Sequence, residues 1–328
     1  MAIRPKISII IPVYNVELYI ADCLQSVIRQ TYSGKVECII VDDCSIDKSV
    51  EIVEERISEY NGPIAFKVLH HEHNRGLSAA RNTGVEAAMG DYVFFLDSDD
   101  YISDDCIEVL SRPLQEYDYD MVLGDLETFG LPSETCWLSH GAGPILGKEV
   151  IFRELCVERS IYVMAWNKLI KTSLFFQSDM SFLEGQLHED ELWTYKCSLC
   201  LQTVFVCKDV TYHYRIRESG IMKDASYGKE RLKRTSRLDT LKYVLAHPNC
   251  LDKRGYDEVV ASCFLKYWGM VELKGGYVWG EYNDIRTNNC YLPQRNNVLK
   301  KHLNRLHWFM PPIIGYVFLL IWNATRKH

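Results

Sequence analysis

Short apolar runs alternate with amphipathic stretches through the N-terminal third of the chain. Four runs are rich in β-branched and aromatic residues: ISIIIPV (7–13), VECIIVD (36–42), IAFKVLH (64–70) and YVFFLD (92–97). Runs of this length that are apolar on both faces are typical of parallel strands covered by helices. The pattern therefore predicts a Rossmann-like α/β fold, with a mostly parallel central sheet and helices on both faces.

The segments between these runs have helical periodicity. After the first run, Ile20, Leu24 and Val27 share one face, and we expect Asn15 to cap this helix. Either Ser45 or Asp47 is expected to cap the next helix. All four strands then end at the same edge of the sheet, which is the edge at which open α/β sheets bind ligands.

The fourth run ends in an unusual concentration of acid. In FFLDSDDY (94–101), Asp97, Asp99 and Asp100 follow a buried strand directly. Their carboxylates are ionised at neutral pH and repel one another unless something positive lies among them. A divalent cation that also holds an anionic ligand would reconcile these charges, because hard cations prefer oxygen ligands and often bring phosphates.

Seven motifs in order resemble the inverting nucleotide-sugar glycosyltransferases of family 2, which have the GT-A fold. They are PVYN (12–15), VDDCSID (41–47), NRGLSAARNTG (74–84), LDSDD (96–100), AWNKLI (165–170), LHEDELW (187–193) and YHYRIRESGIM (212–222). Each motif is weak alone, but their order is specific. The resemblance implies a GT-A catalytic domain over residues 1–222, with a nucleotide-binding half to about 110 and an acceptor half after it.

The resemblance also implies a donor site for a UDP-sugar. Tyr14 corresponds to the tyrosine that stacks on the base, and Asp43 to the acid that accepts the uracil N3–H. An aspartate at N3 favours uracil over cytosine, which has no proton there. Pro12 and Ser98 are further expected donor contacts.

The acid cluster corresponds to the family's DxD motif. The resemblance implies that Asp97 approaches the ribose and the metal, and that Asp99 binds Mn²⁺ or Mg²⁺. Arg81 is expected near the donor, with a salt bridge that braces Asp97 or Asp43 as the alternative. Asp100 is expected to cap the following helix instead of binding metal.

Inversion requires a base on the acceptor side of the sugar. In LHEDELW the residue that corresponds to the family's base is Asp190, although Glu189 remains an alternative. The resemblance implies that Lys168 and Arg217 either approach the pyrophosphate or order the loop that closes over it. The order Ser219-Gly220 departs from the commoner Gly-Ser, and His213 is either a further metal ligand or a packed side chain.

Composition places the protein in a reducing compartment. The chain has 328 residues, a net charge of −7 and 12 scattered cysteines, which we interpret mostly as buried free thiols. The apolar run near the N-terminus is too short for a secretion signal. We therefore expect a cytoplasmic protein without a nucleic-acid partner.

The C-terminal third has a different character. Residues 223–291 are predicted to form a helical extension. Residues 292–328 contain basic residues, no acid and an uncharged segment at 308–322. That segment is short for a spanning helix, which needs about 20 residues. The tail is expected to lie on an anionic membrane surface at the cytoplasmic face, with packing on the protein as the alternative.

These features predict a metal-dependent inverting glycosyltransferase. The expected acceptor is a hydroxyl of a glycan, on a lipid carrier, in capsule, exopolysaccharide or O-antigen assembly. A non-catalytic sugar-nucleotide-binding protein is one alternative. A DxD phosphatase is a weaker one, because such enzymes carry the motif on their first strand, whereas here it follows the fourth.

Overall fold

The computed structural model describes residues 4–130, 138–216, 227–249, 252–260 and 262–263, with only the backbone for 227–231. Its strands are β1 Ile7–Val13, β2 Val36–Asp42, β3 Ala65–His70, β4 Tyr92–Phe95, β5 Tyr101–Ile102, β6 Met121–Phe129, β7 Gly143–Leu146, β8 Lys168–Lys171 and β9 Thr203–Arg215. Its helices are α1 Ile20–Ile28, α2 Ser49–Ser58, α3 Leu77–Ala87, α4 Cys106–Ser111, α5 Lys148–Phe152, α6 Thr172–Gln177, α7 Glu189–Cys200 and α8 Tyr227–Ala246.

The strands form one sheet in the order β3-β2-β1-β4-β8-β6-β9-β5, with β7 paired to β9. The first four strands in the chain are mutually parallel, which confirms the predicted Rossmann-like half. Strand β8 then runs antiparallel between β4 and β6. The parallel N-terminal strands therefore continue into the later strands through a single sheet.

The core is densest around β1, whose side chains are buried over the whole strand. Helix α3 approaches β1 very closely at Gly84, where an added Cβ would lie 2.3 Å from Ile10 Cγ2. Any side chain at position 84 would push the helix off the sheet. This close approach fixes the position of α3, which carries Arg81.

The predicted helix caps are only partly correct. Helix α1 begins at Ile20 and is not capped by Asn15, which has a φ of 52° and accepts a hydrogen bond from the Ile46 N–H. The loop after β1 is therefore tied to the loop after β2. Helix α2 has Lys48 at its N-cap position; Asp47, one of the two expected caps, lies one residue earlier, and its carboxylate accepts the Ser49 N–H.

The chain divides into two compact units, residues 1–226 and 227–328. In the second unit, α8 and a helical segment at 253–260 are described. The proposed tail, 292–328, lies outside the described residues. In the part of the chain that is described, no helix is both long and apolar enough to cross a membrane. The nine cysteines described there are all free thiols.

Candidate active site

A four-residue turn at the end of β4 carries the acid cluster. Its ends are joined by a hydrogen bond from the Asp100 N–H to the Asp97 carbonyl oxygen at 3.0 Å. We call Asp97–Asp100 the acid turn. Asp97 and Asp99 are partly exposed in it, whereas Ser98 and Asp100 are buried. Only two of the three carboxylates therefore face a ligand-accessible surface.

Asp100 is a structural member of the acid turn. Its carboxylate accepts hydrogen bonds from the Tyr212 hydroxyl and the Arg215 N–H, both at 2.7 Å. Burial and the neighbouring carboxylates raise its pKa well above the usual range. Asp100 does not cap α4, which begins at Cys106 with Asp105 before it, so that expectation is wrong.

Arg81 joins the acid turn to the start of α7. The Arg81 side chain is only 1% exposed. One terminal nitrogen donates to Asp97 Oδ1 at 2.9 Å, and the other donates to Glu189 at 2.8 Å and Asp190 at 3.2 Å. The geometry favours the bracing alternative for Arg81 over direct contact with the donor. A single guanidinium therefore bonds to three carboxylates.

Aromatic rings enclose the Arg81 guanidinium. Its carbon lies 5.3 Å from the Phe182 ring centroid and 5.9 Å from that of Phe95. Trp193 stacks on Phe182 with an interplanar angle of 9°. Because these rings exclude water, the effective dielectric is low and the ion pairs are stronger than exposed pairs.

Asp190 has the environment expected of a general base. Its side chain is 19% exposed, and its Oδ1 also accepts the Ala165 N–H. Burial and the charge of Glu189 raise its pKa to about 7, against the opposing effects of Arg81 and Lys168. A base with a pKa near the working pH is efficient, because it is both sufficiently ionised and sufficiently basic.

Two details distinguish Asp190 from its neighbour Glu189. Glu189 is the more buried of the two, and its carboxylate is engaged at 2.8 Å by Arg81. His188, just before α7, has a left-handed backbone with φ of 61°. Such a conformation is costly for a non-glycine residue and clusters at functional sites.

On the donor side, Asp43 organises the loop between β3 and α3. Its carboxylate accepts the N–H groups of Arg75 at 2.8 Å and Gly76 at 2.7 Å. His71 Nδ1 lies 2.7 Å from the same carboxylate. Asp43 is almost completely buried. Its interaction with a nucleotide base stays a prediction, to which the structure adds this anchoring role.

Among the predicted donor contacts that the structure describes, Tyr14 is the most accessible. It follows β1, and it is 46% exposed. The preceding Pro12 is buried within β1, paired in register with Val41. The structure therefore offers the Tyr14 ring, but not the Pro12 side chain, to a planar ligand.

Lys168 lies beneath the site. It is 2% exposed, its ammonium donates to the Met164 carbonyl oxygen, and it lies 3.7 Å from the centroid of the Tyr162 ring. Burial lowers its pKa well below the usual value. In this geometry Lys168 does not reach the surface where a pyrophosphate would bind, contrary to expectation. Its charge acts on Asp190 instead.

Asn167, next to Lys168, is an important residue that the sequence reasoning missed. Its φ is 58°, and its amide donates to the carbonyl oxygens of Gly124 and Asp125 while accepting the Thr211 hydroxyl. These bonds join β6, β9 and the chain leading into β8. The asparagine within AWNKLI was the available signal, since asparagine tolerates this left-handed conformation.

The remaining predicted residues are less informative. Arg217 and Ser219 lie outside the described residues. His213 stacks on Tyr101 with ring centroids 4.4 Å apart, and its Nδ1 lies 2.7 Å from a Glu127 oxygen. These contacts favour the packed alternative for His213 over metal binding.

The predicted metal ligands that remain are Asp97 and Asp99. Within the described residues, no group of three or more histidine, cysteine, aspartate or glutamate side chains is arranged to hold a metal ion. Two partly exposed carboxylates fit Mg²⁺ or Mn²⁺ when the ligand's phosphates supply further oxygens, because Mg²⁺ is usually bound by one or two carboxylates plus substrate phosphates. The acid turn therefore fits a cation that arrives with a diphosphate.

The sequence profile described as Glycosyl transferase family 2 matches residues 8–183, which is more than half of the chain and includes the acid turn and Arg81. The chain belongs to glycosyl transferase family 2. Glycosyltransferase GlyA of Streptococcus pneumoniae is 36% identical over 236 residues, 68% of this chain and 32% of its own length. This family 2 chain thus spans about a third of that relative.

A second relative supports both the family and the fold. Poly(ribitol-phosphate) beta-N-acetylglucosaminyltransferase TarS of Staphylococcus aureus is 30% identical over 231 residues, 68% of this chain and 37% of its own length. The crystal structure of TarS 1–349 in complex with UDP-GlcNAc matches with a TM-score of 0.66 at 23% identity, over 90% of this chain and 77% of that one. The predicted GT-A fold is thereby confirmed.

Proposed function

We propose that this family 2 glycosyltransferase transfers a sugar from a UDP-sugar to an acceptor hydroxyl with inversion at C1. The observation that carries the proposal is the Arg81 bridge: the guanidinium bonds both Asp97 of the acid turn and Asp190, whose pKa is raised to about 7, and this supports Asp190 as the proposed base. The TarS structure with UDP-GlcNAc supports the choice of a UDP-sugar donor.

In this mechanism the chain's own residues bind, orient and accept a proton. Tyr14 stacks on the uracil, and Asp43 accepts its N3–H. Asp97 and Asp99 would hold Mn²⁺ or Mg²⁺ together with the diphosphate, and such a cation would supply positive charge next to the leaving UDP. The acceptor oxygen forms its bond to C1 as the C1–phosphate bond breaks, and its proton passes to Asp190.

The proposed acceptor is a glycan, on a lipid carrier, during assembly of a bacterial surface polysaccharide. The name of TarS, a transferase acting on poly(ribitol-phosphate), supports a bacterial surface polymer as the acceptor. The basic composition of residues 292–328 motivates the lipid carrier and attachment to the cytoplasmic face of a membrane. Deleting 292–328 should release the protein from membrane fractions; unchanged fractionation would contradict this part.

Thermal unfolding with UDP tests the donor site. UDP at 100 times its Kd should raise stability by about 2.7 kcal/mol, in the presence of Mn²⁺ and not in EDTA. Asp99→Ala should lose this gain. Asp104→Ala is the matched control, because Asp104 is an exposed aspartate just beyond the acid turn, and it should keep the gain. If UDP does not raise the unfolding temperature of the native chain, the proposed donor is wrong.

A non-catalytic sugar-nucleotide-binding protein is the alternative function. The raised pKa of Asp190 favours catalysis over it, since binding UDP does not require a base at that position. Turnover of the native chain and of Asp190→Asn distinguishes the two functions. If the protein is an enzyme, the native chain turns over a donor, and Asp190→Asn loses this turnover but keeps UDP binding. If it is a binding protein, the native chain itself shows no turnover with any donor.

A further inference from the structure

Strand β9 is attached to the acid turn by a compact set of hydrogen bonds. The Tyr212 hydroxyl donates to Asp100 Oδ2 at 2.7 Å and accepts the Asp97 N–H at 3.2 Å. Arg215 donates from its backbone N–H to Asp100 Oδ1 at 2.7 Å and from Nε to the Asp99 carbonyl oxygen at 3.0 Å. One phenol oxygen therefore contacts the first and the last residue of the turn.

The same contacts leave Asp97 with little freedom. Its N–H is held by Tyr212, and its carbonyl oxygen accepts from the Asp100 N–H at 3.0 Å and lies 3.8 Å from Cys23 Sγ. Its Oδ1 accepts from Arg81. In the described part of the chain, Oδ2 of Asp97 is the oxygen without a hydrogen bond from protein. The turn thus presents one carboxylate oxygen in a fixed direction.

We propose that Tyr212 is a positioning residue for the donor site, whose hydroxyl closes the acid turn and fixes the spacing of Asp97 and Asp99. This inference rests on the proposed function for its effect on donor binding. The hydroxyl acts at a distance from the ligand, since Tyr212 is fully buried and touches the turn from beneath. Preorganisation of this kind lowers the cost of ordering the two carboxylates when the cation and diphosphate bind.

The effect belongs to the hydroxyl and not to the ring. The Tyr212 ring stacks on Trp166 with centroids 4.3 Å apart and an interplanar angle of 9°. In Tyr212→Phe that stacking is kept, and only the two hydrogen bonds to the turn are lost. The fold should therefore survive the substitution.

The chain offers a closely matched control. Tyr162 is also buried and stacks on Trp166, with centroids 5.3 Å apart. Its hydroxyl donates to the carbonyl oxygens of Gly124 and Asn167, away from the acid turn. Tyr162→Phe therefore removes a buried hydroxyl of the same kind without touching Asp97 or Asp100.

The first test uses the ligand-free protein. Amide hydrogen exchange of a peptide covering 96–102 should become about tenfold faster in Tyr212→Phe, which corresponds to about 1.4 kcal/mol of lost local protection. Tyr162→Phe should leave that peptide within twofold of the native rate. Equal exchange rates of this peptide in Tyr212→Phe and the native chain would overturn the proposal.

The second test measures UDP binding by calorimetry at several Mn²⁺ concentrations. Tyr212→Phe should weaken UDP binding about tenfold in Mn²⁺, while Tyr162→Phe should change it less than twofold. Equal affinities in all three proteins would contradict the positioning role. If the native chain itself does not bind UDP, the proposed function fails, and the exchange experiment still decides whether Tyr212 orders the turn.

Discussion

Replacing Arg81 with glutamine tests the central ion bridge of the site. The guanidinium is 2.9 Å from Asp97 and 3.2 Å from Asp190, and it is almost completely buried. Its charge lowers the pKa of Asp190, which burial and the Glu189 charge have raised to about 7. In Arg81→Gln the opposing charge is gone, so the pKa of Asp190 must rise further.

The sign of the effect on activity follows directly. The proposed base works only when ionised, so kcat/KM for the acceptor rises with pH through the pKa of Asp190. An adjacent guanidinium lowers the pKa of a carboxyl by at least about one unit. The midpoint of the ascending limb should therefore move from about pH 7 to pH 8 or above. At pH 6 this change alone lowers the rate by about tenfold.

The assay is the pH dependence of kcat/KM for the acceptor at saturating donor. A loss of folded enzyme that is the same at every pH scales the whole profile without moving its midpoint, which matters because breaking a buried ion pair costs about 3–5 kcal/mol. Arg81→Lys keeps the charge and should shift the midpoint much less. An unchanged midpoint in Arg81→Gln would refute the assignment of Asp190 as the base beside Arg81.

Arg75→Gln is the matched control for this experiment. Arg75 pairs with Glu184 at 3.0 Å, but both side chains are exposed by more than a third. Exposed pairs contribute about 0–1 kcal/mol because water and salt screen them. The pH profile of Arg75→Gln should therefore coincide with that of the native chain.

Three further substitutions have defined outcomes. Asp190→Asn should lower turnover by about 10²–10⁴ and leave UDP binding unchanged. The folded chain keeps the Asp190 proton up to about pH 7, whereas the unfolded chain loses it at lower pH, so the free energy of unfolding falls as the pH rises towards 7. Asparagine does not ionise, and Asp190→Asn should therefore gain more in Tm at pH 8 than at pH 5. Tyr14→Ala should weaken UDP binding by about 1–3 kcal/mol, while the exposed Tyr117→Ala should not. Asn167→Ala should lower Tm by several degrees in calorimetry, since it leaves the Gly124 and Asp125 carbonyl oxygens without their amide donor.

The pattern of apolar residues predicted the bounds of the first three strands well. β1 and β2 have the predicted bounds, and β3 begins one residue later than expected. Strands β1 and β2 are signalled by continuous apolar runs, because both of their faces are covered, whereas the edge strand β3 has only partly buried and exposed residues. The acid turn was also recognisable, since polar residues that directly follow such a run must lie at the edge of the sheet.

Contacts between distant residues were not predictable in the same way. Arg81 is more than one hundred positions from Glu189 and Asp190, and nothing near it in the sequence specifies them. Lys168 is polar and was placed at the ligand surface, yet the fold buries it against Tyr162. The Asn15 cap failed because its side chain bonds the next loop instead of its own helix. In each case tertiary packing decided between local options of similar free energy.

Helix α3 limits how the enzyme can be re-engineered for other donors. Asp43 accepts the N–H groups at its beginning, Arg81 projects from its second turn, and Gly84 presses it against β1. A substitution at Asp43 that tilts this helix would also displace the guanidinium beside Asp190. If the proposed donor contacts hold, substitutions at Asp43 should change nucleotide preference and reaction rate together, whereas substitutions at Tyr14, which lies on a loop outside that helix, should change nucleotide preference alone.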